Sequence, residues 1–330
     1  GLMPMALESL DLSAYDLVIS SESGPAKGVI VRPDALHVCY CHSPMRYLWD
    51  QYGQYRASAG FLTRAVMPWM ASGLRQWDVT SAARVDHFVA NSQAVARRIR
   101  KYWRREADVI APPVHVARFE GGPLEGNGFD GARRRDDFYL YVGELAPYKR
   151  ADIAVRACSM LGRRLVVIGD GSELKRLRKL AGPTVEFVGR LPDDLLAEHY
   201  ARCRALLFPG EEDFGIVPVE AMAAGAPVIA FGRGGSEDTI VDGQTGVAFS
   251  EQSVAAMLSA MLEFELAEDR FDSRAIAAHA RKFDRDVFKD RFMRTVLGLL
   301  AANRRQVAPA GVAPGVGEIE PVRLPVAAAD

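Results

Sequence analysis

Residues Phe208 to Ala230 read as a strand end, a polar loop, a short helix and a second strand. The stretch is Phe208-Pro-Gly-Glu-Glu-Asp-Phe-Gly-Ile-Val-Pro-Val-Glu-Ala-Met-Ala-Ala-Gly-Ala-Pro-Val-Ile-Ala230. Ala205–Phe208 is apolar and runs into Pro209-Gly210, which ends a strand. A helix is expected near Pro218, because proline has its φ preset and lacks only an N–H that the first turn leaves unpaired. Gly225 is a typical residue just past a helix end. Strand–loop–helix–strand units of this kind build parallel sheets, and such sheets bind ligands at the C-terminal ends of their strands. Glu212 lies on the loop, and Glu220 is expected in the first helical turn, so both carboxylates can face that edge. Ionised carboxylates only accept hydrogen bonds, which suits sugar hydroxyls, and the free N–H groups of a helix start suit a phosphate. One loop offering both suits a nucleotide-sugar.

The same alternation runs through the chain. Tyr15–Ser20, Leu36–His42 and His87–Ala90 read as strands, residues 45–82 as helices, and Asn91-Ser92 as the cap of a helix through Tyr102. Glu120–Asp137 is glycine-rich, then basic, then acidic, and reads as an interdomain linker. Beyond it, strands are expected at Phe138–Gly143, Arg164–Gly169, Val185–Gly189, Ala205–Phe208, Pro227–Phe231 and Gly246–Phe249. Helices are expected at Asp152–Met160, Leu174–Leu180 and Leu195–Ala201. Val254, Met257, Leu258, Met261 and Leu262 fall at helical spacing and read as a core stripe. Phe283–Leu300 is a last helix, and the tail from Val307, rich in Ala, Pro, Val and Gly, reads as poorly ordered.

At 330 residues the chain is long enough for two domains, and a net charge of −1 gives no overall bias toward nucleic acid. The four cysteines are too few for a disulfide scaffold and fit a reducing cytosol. No apolar run reaches membrane-spanning length, and no signal peptide is visible. His37-x-Cys39-x-Cys41-His42 lacks a second ligand pair at zinc spacing, and strand alternation reads it as packing. Arg97-Arg98-Ile-Arg100-Lys101-Tyr-Trp-Arg104-Arg105 is a solvated helix face or a contact for anionic lipid, with the apolar Gly60–Gln76 nearby; nucleic acid is a third option without a motif.

Glu212-Asp-Phe-Gly-Ile-Val-Pro-Val-Glu220 resembles the E-x7-E motif of retaining glycosyltransferases, in the large family 4 with the GT-B fold. Cys39-Tyr-Cys-His-Ser-Pro-Met-Arg-Tyr-Leu-Trp-Asp50, Asn91-Ser92 and Ala111-Pro-Pro-Val114 resemble landmarks of the family's bacterial polysaccharide branch. The resemblance implies an α/β GT-B fold, with two Rossmann-like domains facing a cleft. It divides the chain into an acceptor-side domain at 1–119, a linker at 120–137, a nucleotide-sugar domain at 138–284, a C-terminal helix at 285–306 that crosses back to the first domain, and a tail at 307–330. It also implies that the N-terminal domain is incomplete, since members carry a further βα unit ahead of a Tyr15-like strand.

In Tyr141-Val-Gly-Glu-Leu-Ala-Pro-Tyr-Lys-Arg150 the family usually has Arg after the Gly and Lys five residues later. Lys149 matches and would neutralise the leaving diphosphate. Glu144 stands at the Arg position with the wrong charge; Arg150 substitutes for it, or Glu144 turns away to pair with a base. Gly169-Asp170-Gly171 resembles the donor-domain loop, though a tight turn explains it as well. Gly189-Arg190 resembles the turn bordering the nucleobase, or is a solvated turn. Gly232-Arg233-Gly234-Gly235 reads as a close backbone approach or a plain turn. His42 would contact sugar or acceptor from the opposite wall; its alternative is a strand-end histidine bonded to backbone.

Together these imply a metal-independent, retaining hexosyltransferase without cofactors, most simply a mannosyltransferase using GDP-mannose. Glu220 would hold the ribose, and Glu212 would hold sugar hydroxyls beside the Phe214-Gly215-Ile216 backbone. The acceptor would be a polyprenyl-linked saccharide in polysaccharide or O-antigen synthesis, on the cytoplasmic side and with peripheral contact to the membrane. A UDP-sugar-dependent transferase and an inactive nucleotide-sugar-binding or scaffold protein are the alternatives.

Overall fold

The computed structural model describes residues 3–119 and 135–307. Most of the 120–137 segment and nearly all of the tail therefore lie outside the described residues. After a short helix α1 (Met3–Glu8), the first sheet is built from β1 (Leu17–Glu22), β2 (Leu36–Cys41), β3 (His87–Ala90) and β4 (Ala107–Val109), parallel and paired in that order. Helices α2 (Tyr52–Ser58), α3 (Phe61–Ala82) and α4 (Gln93–Trp103) complete this half. Every residue of β2 is buried, as expected of an inner strand covered on both faces. Cys39 and Cys41 lie on its α4 side, packed among Phe88, Ile99 and Trp103.

The second sheet holds β5 (Tyr139–Val142), β6 (Leu165–Ile168), β7 (Val185–Gly189), β8 (Ala205–Phe208), β9 (Val228–Phe231) and β10 (Gly246–Phe249). All pairs are parallel, in the order β10-β9-β8-β5-β6-β7. This is the doubly wound dinucleotide-binding order, and it puts the switch point between β5 and β8. The helices are α5 (Ala151–Leu161), α6 (Leu174–Leu180), α7 (Asp193–Arg202), α8 (Ile216–Ala223), α9 (Ser236–Thr239), α10 (Val254–Leu266) and α11 (Ser273–Ala280). One face packs on α7, α8 and α11 and the other on α5 and α10. Finally α12 (Arg285–Val307) lays Phe288, Phe292 and Val296 against Leu36, Val38 and Tyr40 of β2, so the end of the chain covers the free face of the first sheet.

Several boundaries differ from the sequence expectation. The first strand runs two residues later, Leu17–Glu22, which carries Ser21 and Glu22 to the sheet's C-terminal edge. Helix α8 starts at Ile216, so Pro218 occupies its first turn and Glu220 its second. Gly225 has φ +75°, the left-handed conformation that ends the helix. On α10 the buried face is Met257, Ala260, Met261 and Phe264, whereas Leu262 is 46% exposed; a short run of apolar residues outlines a stripe wider than the one that packs. Arg135, at the end of the expected linker, is bound into the second domain: its guanidinium donates to the carbonyls of Tyr200, Ala201, Cys203 and Ala224 and to Ser273 Oγ. Helix α11 and the single turn α9 were not legible, being short.

The basic segment on α4 is largely consumed within the molecule. Arg97 pairs with Glu237, Arg98 with Asp213 and Arg100 with Glu106, while Arg105 donates to the carbonyls of Ala82 and Asp86. Two of these partners belong to the second domain. Among the described residues no helix is long and apolar enough to cross a membrane.

Candidate active site

The C-terminal strand edges of the two sheets meet. After β8 the chain turns through Pro209-Gly210 into Glu211-Glu212-Asp213, and that loop is gripped from both sides. Toward its own domain, Lys149 Nζ lies 2.7 Å from Glu212 Oε1, with both side chains about four-fifths buried, at 19% and 22% exposure. Lys149 ends a short 3-10 turn (Pro147–Lys149) that follows β5, so the pair closes across the β5/β8 switch point. Burial alone would lower the Lys149 ammonium; the Glu212 carboxylate outweighs it and holds the lysine above its usual range. The Lys149 backbone also passes close to Gly210, where a Cβ would stand 3.2 Å from Lys149 Cα.

Beside this pair, Val142, Gly143, Glu144, Ile168, Gly169, Asp170, Arg190 and Leu191 line a cavity of ≈ 340 Å³ at the ends of β5, β6 and β7. Its floor is backbone. Gly143 N donates to Ile168 O, Gly169 N to Gly189 O and Leu145 N to Asp170 O. Only glycine fits at 169: its φ is +137°, and a Cβ would stand 1.9 Å from Gly143 O. Gly171 meets Leu145 O in the same way, at 2.6 Å. Glu144 and Arg190 are both exposed, and among the described residues neither makes an ion pair. The glycines after β9 support the carboxylate loop from behind: Gly235 N donates to Glu212 O, and a Cβ on Gly235 would meet Phe214 O at 2.0 Å.

The structure separates residues that sequence spacing grouped. Glu220 accepts from Tyr200 Oη of α7 at 3.0 Å, and burial pushes its carboxyl above the usual range. It is thus tied to α7, whereas Glu212 is tied to Lys149. Arg150 is held by Asp152 and by the carbonyl of Gln252, with its own backbone left-handed at φ +53°; its guanidinium is not part of the Lys149–Glu212 pair. Phe214 is buried against Phe283 and belongs to the core, Gly215 is left-handed at φ +87°, and Ile216 is 44% exposed.

His42 follows β2 on the opposite wall. Its backbone N–H donates to Glu22 O, and its Nε2 is 2.9 Å from Ser21 Oγ. Burial lowers its basicity, opposed by the nearby Asp213 carboxylate, so a neutral imidazole is available at pH 7. Sequence reasoning missed Tyr200, Glu211, Asp213, Arg46 and Arg98. Tyr200 sits on a helix without a motif, while Arg46 lies within the Cys39–Asp50 landmark and Arg98 within the basic segment, neither marked out until the fold brings them to the loop.

Arranged this way, the edge offers one cation facing a carboxylate, a backbone-floored cavity at the ends of β5, β6 and β7 and a histidine across the cleft. That is a suitable geometry for an anionic leaving group beside a polyhydroxyl one. Residues 129–283 match the family model described as glycosyl transferases group 1. The D-inositol 3-phosphate glycosyltransferase of Thermomonospora curvata is 32% identical over 275 residues, covering 73% of this chain and 62% of that relative. The GDP-mannose-dependent alpha-(1-6)-phosphatidylinositol monomannoside mannosyltransferase of Mycobacterium tuberculosis is 34% identical over 147 residues, 39% of this chain and 38% of that protein. The chain thus spans less than two thirds of the curated relatives it matches. Among solved structures, sucrose-phosphate synthase from Thermosynechococcus elongatus superposes with a TM-score of 0.68 at 18% identity, covering 88% of this chain and 75% of that one. Anabaena HepE in complex with UDP gives 0.63 at 18% identity, covering 86% and 79%. The fold is therefore GT-B, two parallel-sheet Rossmann-like domains, and residues 129–283 carry the match to glycosyl transferases group 1.

Proposed function

We propose that this protein is a retaining hexosyltransferase of family 4 that takes mannose from GDP-mannose and passes it to a polyprenyl-linked saccharide. The Lys149–Glu212 pair at the switch point, beside the cavity at the ends of β5, β6 and β7, carries this reading. In the reaction the bond from sugar C1 to the diphosphate oxygen breaks, and a bond from C1 to an acceptor hydroxyl forms as that hydroxyl loses its proton. The leaving group gains negative charge. Lys149 stands where it can meet that charge, which is the task a metal performs in other transferases, and the reading needs no metal. When a donor enters, Glu212 exchanges part of its contact with Lys149 for sugar hydroxyls. The cavity between Glu144 and Arg190 takes the nucleoside, and Glu220, oriented by Tyr200, takes the ribose. His42 faces the reacting carbon from the first domain. The mycobacterial mannosyltransferase named above supports GDP-mannose; the UDP in HepE keeps uridine donors as the second choice.

A lipid-linked acceptor puts the protein at the cytoplasmic face of a membrane. Support comes from the outer surface of α3, where Phe61, Leu62 and Trp69 are 85%, 79% and 84% exposed. The paired arginines of α4 do not supply it.

The assignment of Glu220 is tested by calorimetric titration of GDP and UDP into wild type and Glu220→Ala. Loss of a charge-assisted pair to ribose is expected to weaken binding by roughly 10- to 100-fold. Unchanged affinity for both nucleotides would remove Glu220 from the ribose role.

A further inference from the structure

We propose that Arg98 and Arg46 are positioning residues for the donor loop: reaching from the first domain, they hold Glu211 and Asp213 and so direct Glu212, between them, at Lys149. The proposal rests on the reading of Glu212 given above. Arg98 is the centre of the arrangement, with 11% of its side chain exposed. Its guanidinium pairs with Asp213 Oδ1, lies 3.4 Å from Glu211 Oε1 and lies 3.5 Å from Asp50 Oδ2. Arg46, at 16% exposure, donates to the Glu211 carbonyl at 3.3 Å and lies 3.4 Å from Asp213 Oδ1 and 3.2 Å from Asp50 Oδ2. Ser92 Oγ, which caps α4, also donates to the Asp213 carbonyl. Gln93 N–H donates to Asp238 Oδ2 at 2.7 Å, so the first turn of α4 is capped in part by a carboxylate of the other domain.

The directions of the side chains make this more than a domain contact. Along the loop, Glu211 and Asp213 point to the first domain and Glu212 points to Lys149. Gly235 N–H holds the Glu212 carbonyl from behind, and releasing the two outer residues removes the restraint from the first domain. Two guanidiniums, 11% and 16% exposed, meet three carboxylates that keep 25–38% exposure, and a guanidinium so deeply buried is costly to leave unpaired. A planar guanidinium presents five N–H donors in a fixed fork that reaches three carboxylates in one plane; an ammonium is a compact point charge that does not reproduce that fork. Arg97 provides the contrast within the same helix. It too crosses to the second domain, at Glu237, but it is 54% exposed, and a pair of that kind contributes little.

The test compares wild type, Arg98→Gln, Arg98→Lys, Arg46→Gln and Arg97→Gln. Hydrogen–deuterium exchange of the full chain needs no substrate. Arg98→Gln is expected to raise exchange at least tenfold in residues 209–216 and to leave β5 and β6 unchanged; exchange unchanged in 209–216 would overturn the proposal, whatever the donor is. With GDP-mannose, hydrolytic kcat is expected to fall at least tenfold in Arg98→Gln while GDP affinity stays within threefold of wild type. Arg98→Lys should recover only part of kcat, Arg46→Gln should fall between, and Arg97→Gln should match wild type. A parallel loss of GDP affinity, melting temperature and kcat would make Arg98 a folding residue and overturn the proposal. If wild type binds no nucleotide-sugar, the functional reading fails, and the exchange result alone decides whether Arg98 positions the loop.

Discussion

Glu22 and Lys27 show how far a single residue's setting can depart from its appearance in the sequence. Lys27 is fully buried, 2.5 Å from Asp78 and 3.4 Å from Glu22, and it lies over the ring of Trp103. Asp78 in turn accepts from the indole N–H groups of Trp49 and Trp103. Burial pushes Glu22 up to about 7 from an ordinary 4.5, against the pull of Lys27. A carboxyl raised in the folded state adds stability that is complete below pH 4.5 and is lost as pH rises through about 7. Burial moves His37 the other way, down to about 4 from 6.5, so its contribution is lost as pH falls through that window. The two oppose each other in wild type. Glu22→Gln removes one of them, and its stability relative to wild type should improve between pH 4.5 and 7 by on the order of 3 kcal/mol. Urea unfolding at a series of pH values reads this directly, and parallel profiles for the two proteins would refute it. No sequence pattern marks this cluster: Asp78 is 51 residues from Lys27, and each residue alone reads as a surface charge.

Among the elements, the β-strands were the most legible. Runs such as Leu165-Val-Val-Ile168 and Ala205-Leu-Leu-Phe208 are buried at every position, so apolar character and flanking glycines mark them. The glycine-rich turns at their ends were legible as turns, but why glycine is needed there depends on which loop comes alongside. Gly169→Ala should destabilise the protein by about 2–3 kcal/mol, since its Cβ would press on the Gly143 carbonyl rather than on a movable side chain. Gly73 is the counter-case. It lies inside α3 with nothing within 4 Å of an added Cβ, so Gly73→Ala should stabilise by about 0.5–1 kcal/mol. Thermal unfolding distinguishes the two; equal shifts would contradict the packing described for the cavity floor. Helix α8 begins two residues ahead of Pro218, because proline marks the first turn of a helix rather than its first residue.

At the scale of the whole molecule, the doubly wound order, the switch point and the Lys149–Glu212 pair are consistent with one another. The sequence singles out Lys149, Glu212 and Glu220; the fold brings the first two within 2.7 Å and ties Glu220 to Tyr200 of α7 instead. What lay beyond the sequence is how the domains meet: Arg98 and Asp213 are 115 residues apart and share no local pattern. The same holds for α4, whose Arg97 and Arg98 resemble part of a free basic face but close on the second domain. Two sheets joined at their C-terminal edges thus leave one loop, Glu211-Glu212-Asp213, held by both domains.

The most direct test of this account is release of nucleoside diphosphate, followed by mass spectrometry, from a panel of GDP- and UDP-hexoses by wild type, Lys149→Met and Glu212→Gln. Wild type is expected to release GDP from GDP-mannose by slow hydrolysis without an acceptor. Each variant should do so roughly 100- to 1,000-fold more slowly. Release by both variants at the wild-type rate, or no binding of any member of the panel by wild type, would contradict it.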